Sequence, residues 1–280
     1  MKVVQYNIPQ YQEIGGKNEE IIRMFKGLNS YDPLSIPSNF FTELENLDFD
    51  DYPTLTTRKG LELVLSTGSP VIGFGVWKGR ELHVINDNGT WRAFNGSTWK
   101  TVKTGMNTNG VYSFTNFQGN LDDVNLFLCN GSSGLHKYDG TTGIPYGDAP
   151  ASINFITTYQ NRLWGAADGN TLHACALDDA VNWQKFDGDQ SDSFFKTIES
   201  ERGEPITMLS GGLSKLVIGM KNSVRELYGG LPQDFADKVV SEDTGFLYNY
   251  SNVTHNGTLY GVHNTGIYAY SGGTLPNKFE

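Results

Sequence analysis

Residues 81–96 read ELHVINDNGTWRAFNG, an apolar strand, a turn and a second strand, and this pattern decides the fold. Its turn is rich in Asn, Asp and Gly, the residues that favour tight turns. The pattern recurs four more times. The further copies read NLFLCNGSSGLHKYDG at 125–140, RLWGAADGNTLHAC at 162–175, KLVIGMKNSVRELYGG at 215–230 and TLYGVHNTGIYAYSGG at 258–273. Five copies of one hairpin predict a repetitive all-β protein.

A leucine in the first strand of every copy gives the repeat a common register. The anchor leucines are Leu82, Leu126, Leu163, Leu216 and Leu259, and successive ones lie 44, 37, 53 and 43 residues apart. From each anchor to the first apolar residue of the second strand there are 9, 9, 9, 8 and 8 residues. A repeat of roughly 40–50 residues is typical of a four-stranded propeller blade. The sequence therefore predicts a β-propeller of about five visible blades over residues 61–280.

A β-sandwich is the alternative all-β architecture, because short strands and Gly-rich turns suit it as well. A sandwich does not require its hairpins to repeat in register, so the repeat favours the propeller. Four dipeptides also predict type I′ turns, in which both central residues have positive φ. They are Asn88-Gly89, Asn95-Gly96, Asp139-Gly140 and Asn256-Gly257.

The composition narrows the class of protein. The chain has 280 residues, a net charge of −10 and 12% aromatic residues, which together argue against disorder and against a basic nucleic-acid-binding surface. The apolar stretches are too short to span a membrane. Cys129 and Cys175 are the only cysteines, so a disulfide scaffold is excluded. With no visible signal peptide, we expect a reduced, cytosolic protein.

No motif predicts catalysis or metal binding. His136 and His173 occupy equivalent positions of the repeat, which indicates a recurring structural role rather than an active site. The two cysteines have no metal-ligand pattern and are expected to be buried small side chains. Residues 187–192, DGDQSD, resemble half a calcium loop without its downstream glutamate, so we expect a solvated turn there. We expect no enzyme activity, no metal and no cofactor.

Residues 86–91, NDNGTW, resemble the Asp-box hairpin of sialidase-type propellers, in which the tryptophan packs between blades. A sialidase also needs an arginine cluster for the carboxylate of its substrate, whereas the arginines of this chain are scattered. The alternative function is therefore a carbohydrate-binding, lectin-like propeller that recognises a cell-surface glycan. On that hypothesis the glycan binds in pockets between blades and contacts Trp91 or Trp164.

Residues 1–60 do not carry the repeat. A short helix is predicted over residues 19–26, ended by Gly27. The remainder is interpreted either as an extended arm that contacts the propeller or a neighbouring subunit, or as a strand that closes the ring. The candidate subunit-contact residues of this arm are Leu28, Tyr31, Pro33, Leu34, Ile36, Phe40 and Phe41.

Five short segments carry a resemblance to a known family. They are FKGLNSYDP at 25–33, ELENLDF at 43–49, TRKG at 57–60, NRLW at 161–164 and TGIYAYSGG at 265–273. The chain resembles tailed-bacteriophage tail proteins of the tail-hub, nozzle or packaged-DNA-stabilisation type, whose better-known members are longer.

The resemblance implies a structural virion protein. Several copies would form a ring below the head, as a tail hub, nozzle or head-to-tail connector that lines or closes the DNA exit channel. The implied partners are further copies of the chain, neighbouring tail or connector proteins and, passively, the exiting DNA, with no membrane. The implied location is the virion tail, after assembly in the host cytoplasm. The net negative charge is compatible with this role, because an acidic channel does not hold DNA tightly.

Overall fold

The computed structural model describes residues 26–29, 35–37, 39–48 and 55–279. The chain divides into two compact units, Met1–Val64 and Leu65–Glu280. Apart from Lys26, the helix predicted over residues 19–26 lies outside the described residues. The described residues contain no helix long and apolar enough to cross a membrane.

The described part of the first unit contains two short pairs of strands. Strand β1 (Gly27–Leu28) pairs in parallel with β2 (Phe40–Phe41). Strand β3 (Leu47–Asp48) pairs antiparallel with β4 (Thr56–Thr57).

The second unit consists of five four-stranded antiparallel sheets, each formed by consecutive strands. Sheet 1 contains β5 (Val71–Trp77), β6 (Glu81–Asn86), β7 (Trp91–Phe94) and β8 (Trp99–Lys103). Sheet 2 contains β9 (Ser113–Phe117), β10 (Asn125–Cys129), β11 (His136–Tyr138) and β12 (Gly143–Pro145). Sheet 3 contains β13 (Asn154–Tyr159), β14 (Arg162–Ala167), β15 (Thr171–Ala174) and β16 (Phe194–Thr197). Sheet 4 contains β17 (Ile206–Ser210), β18 (Leu216–Met220), β19 (Val224–Tyr228) and β20 (Ala236–Ser241). A 3-10 turn (Asn249–Ser251) precedes sheet 5, which contains β21 (Val253–His255), β22 (Thr258–His263), β23 (Gly266–Tyr270) and β24 (Asn277–Lys278).

This arrangement confirms the predicted β-propeller. The first strands of sheets 1 to 4 lie beside one another in sequence order, and the strands of each sheet follow outward from them. Five separate sheets of contiguous strands are not the two stacked sheets of a sandwich. Each of the five hairpins predicted from the sequence supplies the second and third strands of one sheet.

The anchor leucines mark one face of every sheet. Leu82 pairs with Phe94, Leu126 with Tyr138 and Leu259 with Tyr270, so the register repeats from sheet to sheet. Because side chains alternate along a strand, the anchor faces the preceding sheet and the next residue faces the following sheet. The anchors of sheets 2 to 5 are completely buried, and so are the residues that follow the anchors of sheets 1 to 4. They are Leu126, Leu163, Leu216 and Leu259, and His83, Phe127, Trp164 and Val217.

These buried side chains form four apolar cores, one between each pair of successive sheets. Trp91 and Ile85 of sheet 1 pack with Leu126 and Leu128 of sheet 2. The other three cores lie between sheets 2 and 3, 3 and 4, and 4 and 5. The aromatic residues that are unusually frequent in the sequence therefore fill the wedges between sheets.

Three of the four predicted type I′ turns are wrong. In the turns at 88–89, 95–96 and 139–140, only the glycine has positive φ. The side-chain oxygen of Asp139 accepts the N–H groups of Thr141 and Thr142, and that of Asn95 accepts those of Ser97 and Thr98. These side-chain hydrogen bonds to the backbone need a loop of four residues. They hold the Asn or Asp at negative φ, which a type I′ turn does not allow. Only Asn256 and Gly257, in a two-residue loop, both have positive φ as predicted.

Glycine permits a close approach between sheets 3 and 4. Gly211 follows strand β17, and a Cβ atom at this position would overlap the carbonyl oxygen of Thr158 in strand β13. Gly230, after strand β19, has open space around the position of its missing Cβ. Neither glycine has positive φ, so the two positions differ in the space around them and not in backbone strain.

We expect Gly211→Ala to lower the free energy of unfolding by about 2 kcal/mol, because the added methyl group meets backbone that cannot rotate away. Urea denaturation measures the change. Gly230→Ala is the matched control and should be neutral to within about 0.5 kcal/mol. Equal stability of the two variants would contradict the close packing of these strands.

Candidate functional site

The first strands of the sheets line a cavity of about 510 Å³. Its wall includes residues of strands β5, β9, β13 and β17 and the segment that precedes β21. Phe74 of β5 is in this wall and is 71% exposed, although it lies in the middle of a first strand. A ligand in the cavity could therefore contact the exposed aromatic ring of Phe74.

A second aromatic side chain of the cavity wall is held in place by its neighbours. Tyr250 donates a hydrogen bond from its hydroxyl to the carbonyl oxygen of Val111, at 2.7 Å. Its ring makes an edge contact with Phe155, with 6.2 Å between centroids. Phe155 lies at a bulge in strand β13 with φ of 51°, a conformation that is rare for a bulky residue. The bulge thus places an aromatic side chain beside Tyr250 at some cost in backbone energy.

The polar groups of the cavity wall are all neutral. Among the described lining residues are Ser113, Thr115, Asn249 and Asn252, and none of the described lining residues carries a charge. The Asn249 side chain accepts a hydrogen bond from the N–H of Leu209 at 3.0 Å, which fixes its orientation. The cavity therefore combines exposed aromatic surface with neutral hydrogen-bonding groups.

The two ends of the row of sheets present free faces. Leu82 of sheet 1 is only half-buried, whereas its equivalents in the other four sheets are completely buried. Tyr260, which follows the anchor of sheet 5, is half-buried, whereas its equivalents are completely buried. Among the described residues, no apolar core joins sheet 5 to sheet 1. We refer to these surfaces as the free face of sheet 1 and the free face of sheet 5.

The free faces are defined by the strand register. On sheet 5, Tyr260 pairs with Ala269 and Val253, and Val262 pairs with Ile267. These five residues form the free face of sheet 5. By register, Phe74, Val76, Leu82, Val84, Phe94 and Arg92 share the side of sheet 1 that faces away from sheet 2. Val84 is buried, and Phe74 and Val76 line the cavity. The remaining three form the free face of sheet 1, where the Arg92 guanidinium donates to the carbonyl oxygen of Thr67 at 2.8 Å.

Only part of the predicted subunit-contact arm falls within the described residues. Leu28 is exposed and pairs with Phe41 across the two strands, which brings two of the predicted residues together. Ile36, Phe40 and Phe41 are half-buried. The other three, Tyr31, Pro33 and Leu34, lie outside the described residues.

The structure confirms that His136 and His173 are equivalent. His136 pairs with Leu128 and His173 with Gly165, two positions after the anchors of their sheets. Burial, together with the nearby Lys103, lowers the pKa of His136 to about 4. Burial likewise lowers the pKa of His173, whose ring stacks on Phe195. Both imidazoles are therefore neutral at physiological pH.

A third histidine, His83, lies completely buried between sheets 1 and 2. The indole N–H of Trp91 donates to its Nδ1 at 3.0 Å, so Nδ1 is an acceptor and the proton of the neutral ring is on Nε2. Nε2 lies 2.9 Å from a carboxylate oxygen of Glu81. Burial outweighs the attraction of Glu81 and lowers the pKa of His83 to about 4.

A buried carboxylate occupies the interface between sheets 4 and 5. Glu226 is completely buried and accepts hydrogen bonds from Lys215 at 2.9 Å, Tyr270 at 2.5 Å, the N–H of Gly273 at 3.0 Å and the hydroxyl of Tyr228. Burial opposes its ionisation, but these donors outweigh it and hold the pKa of Glu226 at about 2. All its acceptor positions are used within the fold, which indicates a structural role.

The cysteines and the acidic loop are also part of the scaffold. Cys129 and Cys175 are completely buried, as predicted, and burial raises the pKa of Cys175 to about 12. In the loop at 187–192, the Asp192 carboxylate accepts the N–H groups of three loop residues at 2.6–3.1 Å. The ammonium of Lys185 lies 3.0 Å from Asp189. The loop is thus an organised turn whose carboxylates have partners within the chain.

The expectation that Trp91 or Trp164 contacts a glycan is wrong. Both side chains are completely buried between sheets, which leaves no surface for a ligand. The packing of Trp91 agrees with the Asp-box resemblance, because that tryptophan lies between blades. The exposed aromatic residue near a cavity is instead Phe74, which the hairpin repeat did not include.

Sequence reasoning also missed the role of Arg162. Its completely buried guanidinium donates to the carbonyl oxygens of Cys175, Asp192 and Gln190 at 2.7, 2.5 and 2.9 Å. These bonds tie the long connection between strands β15 and β16 to sheet 3. The sequence signal is weak, because one arginine at the start of a strand resembles any surface arginine.

Comparisons with known proteins support the fold alone. No protein-family model and no curated sequence matches the chain. Among solved structures, the chain is similar to the extracellular domain of a Bacteroides thetaiotaomicron protein described as a hybrid two-component system, with a TM-score of 0.52 and 15% identity. That match covers 83% of this chain and 30% of the other, so the chain spans less than a third of that relative. A computationally designed protein, Ika8, is 10% identical with a TM-score of 0.44, over 74% of this chain and 73% of its own.

We expect the free energy of unfolding to fall as the pH drops from 7 to 5. His83 and His136 have pKa values of about 4 when folded and about 6.5 when unfolded, so the unfolded chain binds more protons in this window. The stability that these two neutral histidines contribute is fully present above pH 6.5. Over this pH range, each histidine should lower the free energy of unfolding by an amount on the order of 1–2 kcal/mol.

Urea denaturation at several pH values measures this dependence. His136→Asn should reduce the slope of stability against pH, whereas the exposed His255→Asn should keep the wild-type slope. A slope that is identical in all three proteins would show that His136 is not the titrating group.

We expect Arg162→Met to lower the free energy of unfolding by about 3 kcal/mol, because three buried carbonyl oxygens lose a charged donor. The same variant should make the chain between Cys175 and Ser193 cleavable by protease. Arg202→Met is the control, since Arg202 is exposed and its partner Asp243 is exposed too. Wild-type protease resistance of Arg162→Met would contradict the assigned role.

Proposed function

We propose that the protein is a structural component of a tailed-bacteriophage virion. In this role it is a tail hub, nozzle or head-to-tail connector part that acts in several copies, lines or closes the DNA exit channel and performs no catalysis. It is assembled in the host cytoplasm and functions in the virion tail. The observation that carries the proposal is the pair of free apolar faces at the two ends of the row of sheets.

Exposed apolar faces favour association. The residues of the free face of sheet 5 carry no charge, and the single charge of the free face of sheet 1, on Arg92, has a backbone partner. Burying apolar surface releases roughly 25 cal/mol per Å². Contiguous apolar patches on a protein surface are typical of interaction sites. Contacts with further copies or with neighbouring tail proteins would cover these faces.

The first unit supports the same role. Leu28 is exposed next to Phe41, so this strand pair offers an apolar side chain to a neighbour. The segments at 25–33 and 43–49, which resemble the starts of phage tail-hub and nozzle proteins, surround these residues. The net charge of −10 suits passive contact with DNA, because like charges prevent tight binding.

We expect the wild-type chain to form oligomers and Ile267→Asp to weaken them at least tenfold in dissociation constant. Ile267 is 49% exposed on the free face of sheet 5, where a carboxylate cannot be buried without a partner. Ile144→Asp is the matched control, because Ile144 is 41% exposed on the outer strand of sheet 2. Sedimentation over a range of concentrations measures both variants.

Negative-stain images of the wild-type oligomers should show rings with a central channel. A wild-type chain that stays monomeric at every concentration would contradict the proposal. Equal weakening by both substitutions would show that the free face of sheet 5 is not the interface.

A further inference from the structure

The cavity lined by the first strands has the properties of a ligand site that is separate from the assembly role. Its volume of about 510 Å³ lies within the roughly 300–1,000 Å³ usual for small-molecule pockets. It is bounded by residues from all five successive sheets or their lead-in segments, so its shape depends on the rigid part of the propeller. Such a scaffold preorganises the groups that meet a ligand.

The charge of the lining determines which ligands fit. None of the described lining residues is acidic or basic. An ionic ligand would lose its hydration on entering and would find no opposite charge, which is unfavourable. The lining therefore disfavours nucleotides, phosphate esters and acidic sugars, and it favours an uncharged ligand.

The aromatic side chains of the wall narrow the class further. Phe74 offers an exposed ring face, and Tyr250, also exposed, is fixed by its hydrogen bond to Val111. A ring face carries partial negative charge, so it attracts the weakly positive C–H groups on the face of a saturated ring. A sugar ring presents such C–H groups on its faces and hydroxyl groups around its edge.

Neutral polar groups lie beside these aromatic rings. The hydroxyl of Tyr250 donates to backbone and keeps its acceptor capacity. The side-chain amide of Asn252 donates to the backbone carbonyl of Asn249, which leaves its own oxygen as an acceptor. Thr115 adds a hydroxyl group to the lining. A purely apolar ligand would leave such groups without hydrogen bonds, whereas the hydroxyl groups of a sugar would supply them.

We propose that this cavity binds an uncharged saccharide, with Phe74 as the aromatic platform for a sugar ring. The site differs from pockets between sheets, where Trp91 and Trp164 are completely buried. The proposal does not depend on a role in the virion, because it concerns the cavity of a single chain and not the free faces.

The test uses the full chain and a set of neutral trisaccharides, maltotriose, cellotriose, mannotriose and triacetylchitotriose, with trigalacturonate as the anionic comparison. Saturation-transfer NMR and titration calorimetry measure binding. At least one neutral trisaccharide should bind with a dissociation constant in the range of about 10 µM to 1 mM, and trigalacturonate should bind at least tenfold more weakly.

Two substitutions at Phe74 distinguish the effect of the aromatic ring from that of the apolar volume of the side chain. Both Phe74→Ala and Phe74→Leu should weaken saccharide binding at least tenfold, because each removes the aromatic face. Phe195→Ala is the matched control, since Phe195 is 59% exposed on sheet 3 outside the cavity, and it should leave binding within twofold. Thermal unfolding followed by circular dichroism checks that every variant is folded.

Three results would overturn the assignment. They are the absence of binding by every neutral trisaccharide at about 10 mM, a preference for trigalacturonate, and full binding by Phe74→Leu. The last would show that apolar volume suffices and that the ligand is not held on an aromatic ring. Oligomeric state is measured separately, so failure here leaves the assembly proposal standing, and the reverse also holds.

Discussion

Each sheet of the second unit has two apolar faces, and both must be covered for the fold to be stable. A radial row of sheets meets this requirement, because each sheet covers one face of its neighbour on either side. The anchor leucine and the residue after it serve these two contacts in every repeat, except for Leu82 and Tyr260 at the two ends of the row. The constraint also has a consequence at the ends of the row. Among the described residues, sheets 1 and 5 each keep one face that no neighbouring sheet covers, with Phe279 on Tyr260 and Thr67 beside Arg92 as local contacts. The proposed assembly depends on these faces.

The wedge-shaped spaces between sheets are filled by large side chains, several of which carry polar atoms. Near Tyr138, the Trp91 indole donates a hydrogen bond to His83, whose Nε2 lies 2.9 Å from Glu81. At the interface of sheets 4 and 5, Tyr270 donates a hydrogen bond to Glu226. Tyr138 and Tyr270 occupy equivalent positions in the third strands of their sheets. The four donors to Glu226 satisfy this buried carboxylate, and such a network disfavours other registers between sheets 4 and 5. Histidine and carboxylate residues that resemble catalytic groups in the sequence are thereby explained as parts of the scaffold.

The two proposed surfaces differ in chemistry, and they meet at strand β5, whose Phe74 lines the cavity on the same side of sheet 1 as the free face. The free faces are largely apolar and are formed by the sheets at the two ends of the row. The cavity is concave and combines aromatic rings with neutral polar groups. Among the described residues, the cavity lining has no charged side chain, and Arg92 is the one charged residue of the free faces. A virion part with these properties would assemble through its sheet faces and keep its cavity available for a small, uncharged ligand.

The sequence by itself determined the five hairpins, because their alternating apolar residues and Asn/Gly turns are local signals. It did not reveal the first and fourth strands of the sheets, since strands such as Val71–Trp77 and Gly143–Pro145 are short, rich in glycine or interrupted by proline. The predicted turn types were mostly wrong, because Asn95 and Asp139 accept hydrogen bonds from N–H groups of their own loops. Those groups become available only when strand pairing sets the loop length. Tertiary structure alone decided that Trp164 is buried, that Arg162 anchors a loop and that Phe74 remains exposed at a cavity. These properties depend on side chains far apart in the chain, and only the packing of one sheet against the next brings those side chains together.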